Sequence, residues 1–345
     1  METRILDLDG SLVRQKLLIQ RTQPAILPLA DWGPSIRLAC AHGSFRRFQN
    51  RLTQLAGSER DTHPFLNFIG SGDFHHVSLA LLRRLRGPFN LLVLDNHPDW
   101  MRGIPLMHCG TWVYHAAQLS GVRRIFHMGG DVDFDNAYRW LAPWSMLRSG
   151  KIVVSPARRR FAGRQWARVA HGALRRHAEE PTGREAIEEW LMPFRADLAG
   201  FPLYISLDKD VLTASETAVN WDSGYLRTRE ALNVAQAFLD AAKGNLAGMD
   251  VVGDWSPVRL RGLFRRFLHW TEHPSLTVDA EQATRRNEAL NLLLHDRFGM
   301  LEGTATIRAD ADERPASAGW YGSGPHQRTD AGRSPSANEP VRHNN

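Results

Sequence analysis

Short apolar runs alternate along this chain with longer amphipathic stretches, and this alternation restricts the fold more than any other feature. Amphipathic patterns of helical spacing, such as those beginning at Val77 and Thr228, lie between the apolar runs. Strands separated by helices form βαβ units, and strands that are apolar throughout are covered by helices on both faces. We therefore predict an α/β fold of three layers, with a mostly parallel sheet flanked by helices. The predicted strands are residues 4–8, 35–40, 65–70, 90–95, 123–129, 151–155, 203–208 and 246–252.

The composition of the chain changes near Glu302. Before this point the sequence has the apolar content of a globular protein, whereas Gly, Pro, Ser and charged residues dominate after it. Such a segment buries too little apolar surface to offset the entropy lost on ordering. We predict one α/β domain over residues 1–301 and a disordered C-terminal tail over residues 302–345.

Several features bear on location and partners. The apolar runs are too short for a membrane span, and the N-terminus lacks the apolar core of a secretory signal. Two cysteines, Cys40 and Cys109, are too few for a disulfide framework. We therefore predict a cytoplasmic protein that has no membrane partner and acts on a small molecule, with a homo-oligomer left open.

The net charge of +6 raises the question of nucleic acid, because basic residues cluster at 157–177 and 259–267. In both segments the helical spacing separates Arg from apolar residues, which is typical of the solvated face of an amphipathic helix. No recognisable nucleic-acid module accompanies either segment, so a nucleic-acid partner is not expected.

Acidic residues and histidines follow three of the predicted strands. Ligands of an open parallel sheet bind outside the carboxyl ends of its strands, so these groups are predicted to meet at one edge. They are Asp73, His75 and His76 after the third run, Asp95, His97 and Asp99 after the fourth, and Asp208 and Asp210 after the seventh.

These groups point to a metal site. One such cluster would equally fit a capped turn, but three at one sheet edge would repel one another and lose hydration together without a cation. Mixed carboxylate and imidazole ligands suit Mn²⁺, Fe²⁺ or Zn²⁺, and this many ligands fits two ions. Two divalent ions can bring the pKa of a water molecule toward neutrality and make it a nucleophile. A two-metal site that activates a water molecule is therefore predicted.

The motifs resemble those of the ureohydrolase superfamily, which comprises arginase, agmatinase and formiminoglutamase. That family carries G-G-D-H-S, D-A-H-x-D and S-x-D-x-D in this order. Here "DNHPD" (95–99) matches the second motif with Asn96 in place of Ala, "SLDKD" (206–210) matches the third, and "GDFHH" (72–76) is a degenerate first. The segment 213–225 departs from the usual family pattern, which implies a divergent member with an arginase-like fold rather than arginase itself.

The resemblance implies a ligand set for two Mn²⁺ ions, with other divalent metals also possible. Asp95 and Asp208 would bridge the ions, and Asp210 would also help to stabilise the tetrahedral intermediate. A shift of one residue in the first motif would replace His75 by His76 as the ligand. One ion would bind His75, Asp95, Asp99 and Asp208, and the other would bind Asp95, His97, Asp208 and Asp210.

The resemblance also implies an activity. A hydroxide bridging the metals would attack a guanidino, formimino or related amidine or amide carbon and cleave its C–N bond. His108, in "MHCGTW", would pass a proton to the departing amine. In "DVVGDWSP" (250–257), the position of the substrate-binding glutamate falls on Asp254 or, in the other alignment, on Gly253.

Three alternatives stay open. The chain could be a non-catalytic, metal-binding member of the same fold. The segment "ILDLDGSLV" (5–13) resembles the first motif of haloacid dehalogenase-type phosphatases, with Asp7 as nucleophile and Asp9 as acid/base. The "FHH" at 74–76 gives weak support to the deacetylase branch of this fold, which uses one zinc ion.

Overall fold

The computed structural model describes residues 1–57, 61, 63–130, 138–155, 184–273 and 278–301. All of them belong to one compact unit, Met1–Asp310. The predicted tail, 302–345, and the basic segment 157–177 lie outside the described residues. The domain boundary therefore stays a prediction.

A sheet of eight strands forms the centre of the described chain, in the order β2-β1-β4-β10-β9-β5-β7-β8. Every neighbouring pair in it is parallel. The prediction of a mostly parallel α/β sheet is therefore confirmed. Two further short strands, β3 and β6, pair antiparallel in a separate ribbon. The strands are β1 (Glu2–Asp7), β2 (Ala25–Pro28), β3 (Ala39–Cys40), β4 (Phe65–Gly70), β5 (Phe89–Leu94), β6 (Met107–His108), β7 (Val122–Met128), β8 (Ile152–Ser155), β9 (Leu203–Asp208) and β10 (Leu246–Val252).

Helices cover both faces of this sheet, because the buried strands carry apolar side chains on both sides. In β5, for example, Leu91 and Val93 join one core cluster, whereas Leu92 and Leu94 join the other. The first cluster includes residues of α3, α4 and α5, and the second includes residues of α8, α9, α10 and α12. The helices are α1 (Lys16–Thr22), α2 (Gly33–Ile36), α3 (His42–Ala56), α4 (Val77–Leu82), α5 (Trp112–Ala117), α6 (Tyr138–Leu141), α7 (Trp144–Arg148), α8 (Arg184–Leu191), α9 (Arg195–Gly200), α10 (Thr228–Ala241), α11 (Leu263–Glu272) and α12 (Ala280–Leu294).

Seven of the eight predicted strands are present with ends within two residues of the prediction. The strand predicted at 35–40 is wrong. Pro34 lies in the first turn of α2, where its fixed φ favours a helix, and Leu38 then adopts a φ of +66°. Only Ala39–Cys40 of this run is extended. The sequence prediction also omitted β2, a four-residue edge strand that ends in proline.

The strand order brings the three motifs together. β4, β10, β9 and β5 are consecutive neighbours, so the strands that precede the motifs span about 14 Å of the sheet. Because these strands are parallel, all three motifs leave the sheet at the same edge. Within the described residues, a helix with the length and apolar character needed to cross a bilayer is absent.

Phe126 on β7 anchors the aromatic part of the second core cluster. Its ring lies 5.2 Å from that of Phe194 and 5.0 Å from that of Phe238. We expect Phe126→Ala to lower the free energy of unfolding by about 3–5 kcal/mol, because it leaves a cavity in this core. Urea denaturation measures the change. Leu17→Ala, at a side chain 54% exposed, is the control and should change it by less than about 0.5 kcal/mol. Equal effects of the two substitutions would contradict this assignment of the core.

Candidate metal centre

His75 meets three carboxylates just beyond the sheet edge. A short 3₁₀ turn, Gly72–Phe74, follows β4, and the Ser71 side chain caps it by accepting a hydrogen bond from the amide of Asp73. The turn directs His75 toward the ends of β5 and β9. Its Nδ1 lies 3.1 Å from Asp95 Oδ2, 3.0 Å from Asp99 Oδ2 and 3.4 Å from Asp208 Oδ2.

A second group forms beside the first. His97 Nδ1 lies 2.8 Å from Asp210 Oδ2 and 3.9 Å from Asp95 Oδ1. Asp95 therefore belongs to both groups, one oxygen facing each. The His97 side chain is 29% exposed, whereas Asp95 and Asp210 are buried. Solvent therefore reaches this centre on the His97 side.

The donor atoms fit divalent cations. His75, Asp95 and Asp99, and likewise Asp95, His97 and Asp210, offer ligand atoms that lie within 4.8 Å of one another. His75 Nδ1 and Asp95 Oδ2 are buried and make no hydrogen bond to another described residue. Their separation of 3.1 Å fits two ligands of one cation, and although burial opposes it, Asp95 and Asp99 raise the pKa of His75, which shows the demand for positive charge at this point.

Burial and the neighbouring charges shift the pKa values of the side chains in this cluster. Burial, together with the Asp95 charge, raises the pKa of Asp99 to about 7. Burial and the neighbouring Asp210 raise the pKa of Asp208 well above its usual value. Burial alone would lower the pKa of His97, but Asp210 and Asp95 raise it to about 10. When no metal cation is bound, protons on these side chains therefore compensate the negative charge of the site.

A buried relay orients His75. Its Nε2 lies 3.0 Å from Ser206 Oγ, and that hydroxyl donates to Asp250 Oδ1 at 2.7 Å. Because the Ser206 proton goes to Asp250, its oxygen accepts the Nε2–H of His75. When the ring is neutral, Nδ1 therefore directs a lone pair toward the cluster. Such outer partners commonly fix the tautomer of a metal-binding histidine. Ser206 and Asp250 face one another across β9 and β10, a register that the sequence analysis did not identify.

The segment after β5 bends rather than staying extended. The amide of His97 donates to Asp95 Oδ1 at 2.7 Å, and Asp99 adopts a φ of +41°. The indole Nε1 of Trp112 donates to Asp99 Oδ2 at 2.6 Å and holds that carboxylate in the first group. This bend and its hydrogen bonds set the positions of Asp95 and Asp99 in the site.

His76 lies apart from the carboxylates. Its ring packs 5.7 Å from the ring of Phe45, and burial together with the nearby His108 and His75 lowers its pKa to about 3. Of the two histidines left open by the first motif, the structure places His75 among the predicted ligands.

The predicted substrate-binding residue Asp254 has its carboxylate occupied within the protein. Lys209 Nζ donates to Asp254 Oδ2 at 2.7 Å, and Gln15 Nε2 donates to Oδ1 at 2.6 Å, all three being buried. These contacts argue against a role in substrate binding. The other alignment candidate, Gly253, has a φ of +97°, and a Cβ there would lie 2.5 Å from Asp208 Oδ1. A glutamate therefore does not fit at Gly253 either.

His108, the predicted proton donor, ends β6 and is buried. Its Nδ1 accepts a hydrogen bond from the amide of Gly110 at 2.9 Å, and its own amide donates to Thr111 Oγ1. When the ring is neutral, its proton is therefore on Nε2.

Asp73, which the sequence groups with the possible ligands, has other partners. Arg37 Nε donates to its Oδ2 at 2.5 Å, while His273 Nε2 and the indole Nε1 of Trp221 lie 2.9 and 3.0 Å from its Oδ1. Although burial opposes ionisation, Arg37 and His273 hold the pKa of Asp73 far below its usual value. Asp73 is thus a buried structural anion beside the centre.

The phosphatase alternative required Asp7 and Asp9 as reacting groups. Asp9 accepts hydrogen bonds from the amide and hydroxyl of Ser11, the amide of Ser71 and the hydroxyl of Ser256. This carboxylate joins the β1 loop to the loops after β4 and β10. Its contacts favour a structural role.

The chain can be compared with known proteins by sequence and by structure. No family model matches the chain. A protein of Thermotoga maritima, described as uncharacterized, is 24% identical over 197 residues, which are 57% of this chain and 61% of that protein. The chain thus matches less than two thirds of the length of this relative.

Several solved structures are similar to this one. Arginase from Bacillus subtilis is 12% identical with a TM-score of 0.47, covering 85% of this chain and 98% of that one. Formimidoylglutamase from Bacillus subtilis subsp. subtilis str. 168 is 15% identical with a TM-score of 0.49, covering 87% and 86%. A hypothetical agmatinase from Burkholderia thailandensis is 18% identical with a TM-score of 0.38, covering 74% and 64%. All three belong to the superfamily that the motifs resemble. At these identities and TM-scores the similarity concerns the fold alone.

The two adjacent histidines provide a matched test of the site. We expect His75→Asn to reduce the content of bound divalent metal, because Nδ1 of His75 faces three carboxylates. His76→Asn should leave the metal content unchanged, since His76 lies away from them. Elemental analysis after dialysis against Mn²⁺ measures both, with circular dichroism as the check on folding. Greater metal loss in His76→Asn would contradict this placement of the ligand.

The raised pKa values predict a pH dependence of metal binding. In the metal-free protein, His97 with a pKa of about 10 and Asp99 with a pKa of about 7 carry protons that a cation must displace. The affinity for Mn²⁺ should therefore increase between pH 6 and pH 8, by about tenfold per pH unit for each proton released. Isothermal titration in buffers of different ionisation heat counts these protons. An affinity that is flat over this range would contradict the coupling.

Proposed function

We propose that this chain is a divergent ureohydrolase, a metal-dependent enzyme that hydrolyses a C–N bond in a guanidino, formimino or related amidine or amide compound. The observation that carries the proposal is the pair of ligand groups sharing Asp95, built from the positions of three family motifs. A capped turn or a surface charge cluster would not place a buried His75 Nδ1 against three buried carboxylates.

We propose two divalent cations as cofactors, with Mn²⁺ as the expected ion. The ligands would be His75, Asp95, Asp99 and Asp208 on one side, and Asp95, His97, Asp208 and Asp210 on the other. When bound, the cations would supply Lewis acidity and lower the pKa of a water molecule toward neutrality.

The protein groups have distinct roles in this proposal. Asp210 receives the amide hydrogen of Asn96 on Oδ1 and faces His97 with Oδ2, so its carboxylate is fixed in direction before a substrate arrives. His108 would pass the proton on Nε2 to the departing amine, while the amide of Gly110 keeps Nδ1 unprotonated.

The surroundings of the centre favour a substrate other than arginine. Asp254 is paired with Lys209, and Gly253 has no side chain, so neither offers a free carboxylate to a guanidinium group. On the accessible side, the ring of Trp221 lies 5.0 Å from that of His97. An aromatic wall of this kind suits a planar amide or amidine group.

A substrate panel tests this function. Protein loaded with Mn²⁺ should release urea, ammonia or another amine from at least one guanidino, ureido, formimino or amide compound. The double variant Asp95→Ala plus Asp208→Ala should lose both metal and turnover, because it removes both proposed bridging ligands. A protein that binds two ions yet releases no product across the panel would instead be the non-catalytic member of this fold.

A further inference from the structure

An arginine-lined cavity lies beyond the end of β10, apart from the ligand groups described above. It has a volume of about 540 Å³, within the range of small-molecule sites. Pro34 of α2 forms one wall, and the segment after β10 together with α11 forms the other. The lining residues of this segment are Val258, Arg259, Leu260, Arg261, Arg266 and His269.

Backbone contacts hold the arginines in place. The amide of Arg261 donates to the Pro34 carbonyl at 3.1 Å. Arg265 donates from Nε to the Arg261 carbonyl and from NH1 to the Ser35 carbonyl, so it ties the segment to α2. The side chain of Arg265 is thus used structurally, whereas those of Arg259, Arg261 and Arg266 line the cavity.

The cavity has no internal counter-charge. Its described lining contains three arginines and no acidic residue. Some other exposed arginines have carboxylate partners, as Arg184 has Glu188 and Arg285 has Glu281. Burial lowers the pKa of Arg265, and the positive charge of Arg261 lowers it further. Like charges gathered at one concave surface repel one another and attract an anion.

We propose that this cavity binds the phosphate group of a small molecule. Guanidinium groups match phosphate oxygens in pairs of parallel hydrogen bonds, which favours phosphate among common anions. Arg259, Arg261 and Arg266 are exposed, as expected for the segment 259–267 from sequence, and they also surround one concave surface shared with α2.

An adjoining cavity shows where the rest of the ligand would lie. It has a volume of about 210 Å³ and shares Pro34 and Arg259 with the larger one. Two aspartates, Asp7 and Asp9, and three arginines, Arg14, Arg37 and Arg259, line it, so its lining offers both donors and acceptors to the polar organic part of a ligand. A phosphate ester should therefore bind more tightly than inorganic phosphate.

A row of rings leads from this cavity to the metal centre. His269 stacks on His273 at 4.1 Å, His273 lies 4.2 Å from Trp221, and Trp221 lies 5.0 Å from His97. The phosphate could thus belong to a substrate that reaches the centre or to a separate effector. The ligand chemistry is the same in both cases.

Binding to metal-free protein tests the site independently of any catalysis. The full chain, stripped with EDTA, is titrated calorimetrically with inorganic phosphate and with glycerol 3-phosphate. We expect both to bind, the ester more tightly, and added salt to weaken both. The double variant Arg261→Gln plus Arg266→Gln should weaken both by about tenfold or more, whereas Arg259→Gln should chiefly reduce the advantage of the ester.

Arg195→Gln is the matched control for loss of charge. Arg195 is exposed at the start of α9. The carbonyl of Asp197 in this helix accepts a hydrogen bond from Asn90, at the amino end of β5. The helix therefore lies at the sheet edge opposite to the one that carries the cavity. The phosphate affinity of the Arg195→Gln variant should equal that of the unaltered chain. Circular dichroism of each variant confirms folding.

Two results would overturn the proposal: unchanged phosphate affinity in a folded double variant, or tighter binding of a single-stranded oligonucleotide than of either small phosphate.

The source of the ligand follows from turnover of the Mn²⁺-loaded enzyme with a substrate from the panel. Competitive inhibition by phosphate, lost in the double variant, identifies the anionic end of a substrate. A phosphate effect on turnover that is not competitive identifies an effector.

Discussion

The structure around the candidate site depends on one constraint, the gathering of four buried carboxylates and two imidazoles, one buried and one partly exposed, at a single edge of the sheet. Removing so much charge from water is costly unless cations, protons or hydrogen-bond donors compensate it. Part of the compensation is built in, through the indole of Trp112 on Asp99 and the amide of His97 on Asp95. The remainder would fall to the ion that we propose between His75 and the carboxylates, whose donor atoms lie close enough to hold one.

The same cost explains the other buried charges near the site. Asp73 is neutralised by Arg37 and His273, and Asp254 by Lys209. These pairs join α2, the turn after β4, the turn after β9 and the end of α11, so they hold in place the loops that carry the ligands. A buried ion pair contributes little net stability but is costly to break. Its main effect here is to fix the position of the loops. The described lining of the cavity beyond β10 has arginines but no acidic residue, and there we propose an external anion.

Much of the fold could be predicted because the buried strands are short, continuous apolar runs, and β4, β9 and β10 have the ends that this pattern gives. The prediction failed at 35–40, where an apolar run is interrupted by the backbone demands of Pro34 and the positive φ of Leu38. For the site, the sequence predicted which segments of the chain meet. The relay from His75 through Ser206 to Asp250 was not predicted, although polar residues at alternate positions of a buried strand were a usable signal.

The sequence by itself determined that three acid- and histidine-bearing segments leave parallel strands at one edge, because that follows from local periodicity and from the direction of the strands. Only the tertiary structure decided which of these side chains remain available to a ligand. Asp254 and Asp73 look like site residues in the sequence, yet their partners Gln15 and Arg37 come from segments far away along the chain. Whether a buried carboxylate is paired or open depends on such distant contacts, which no local pattern records.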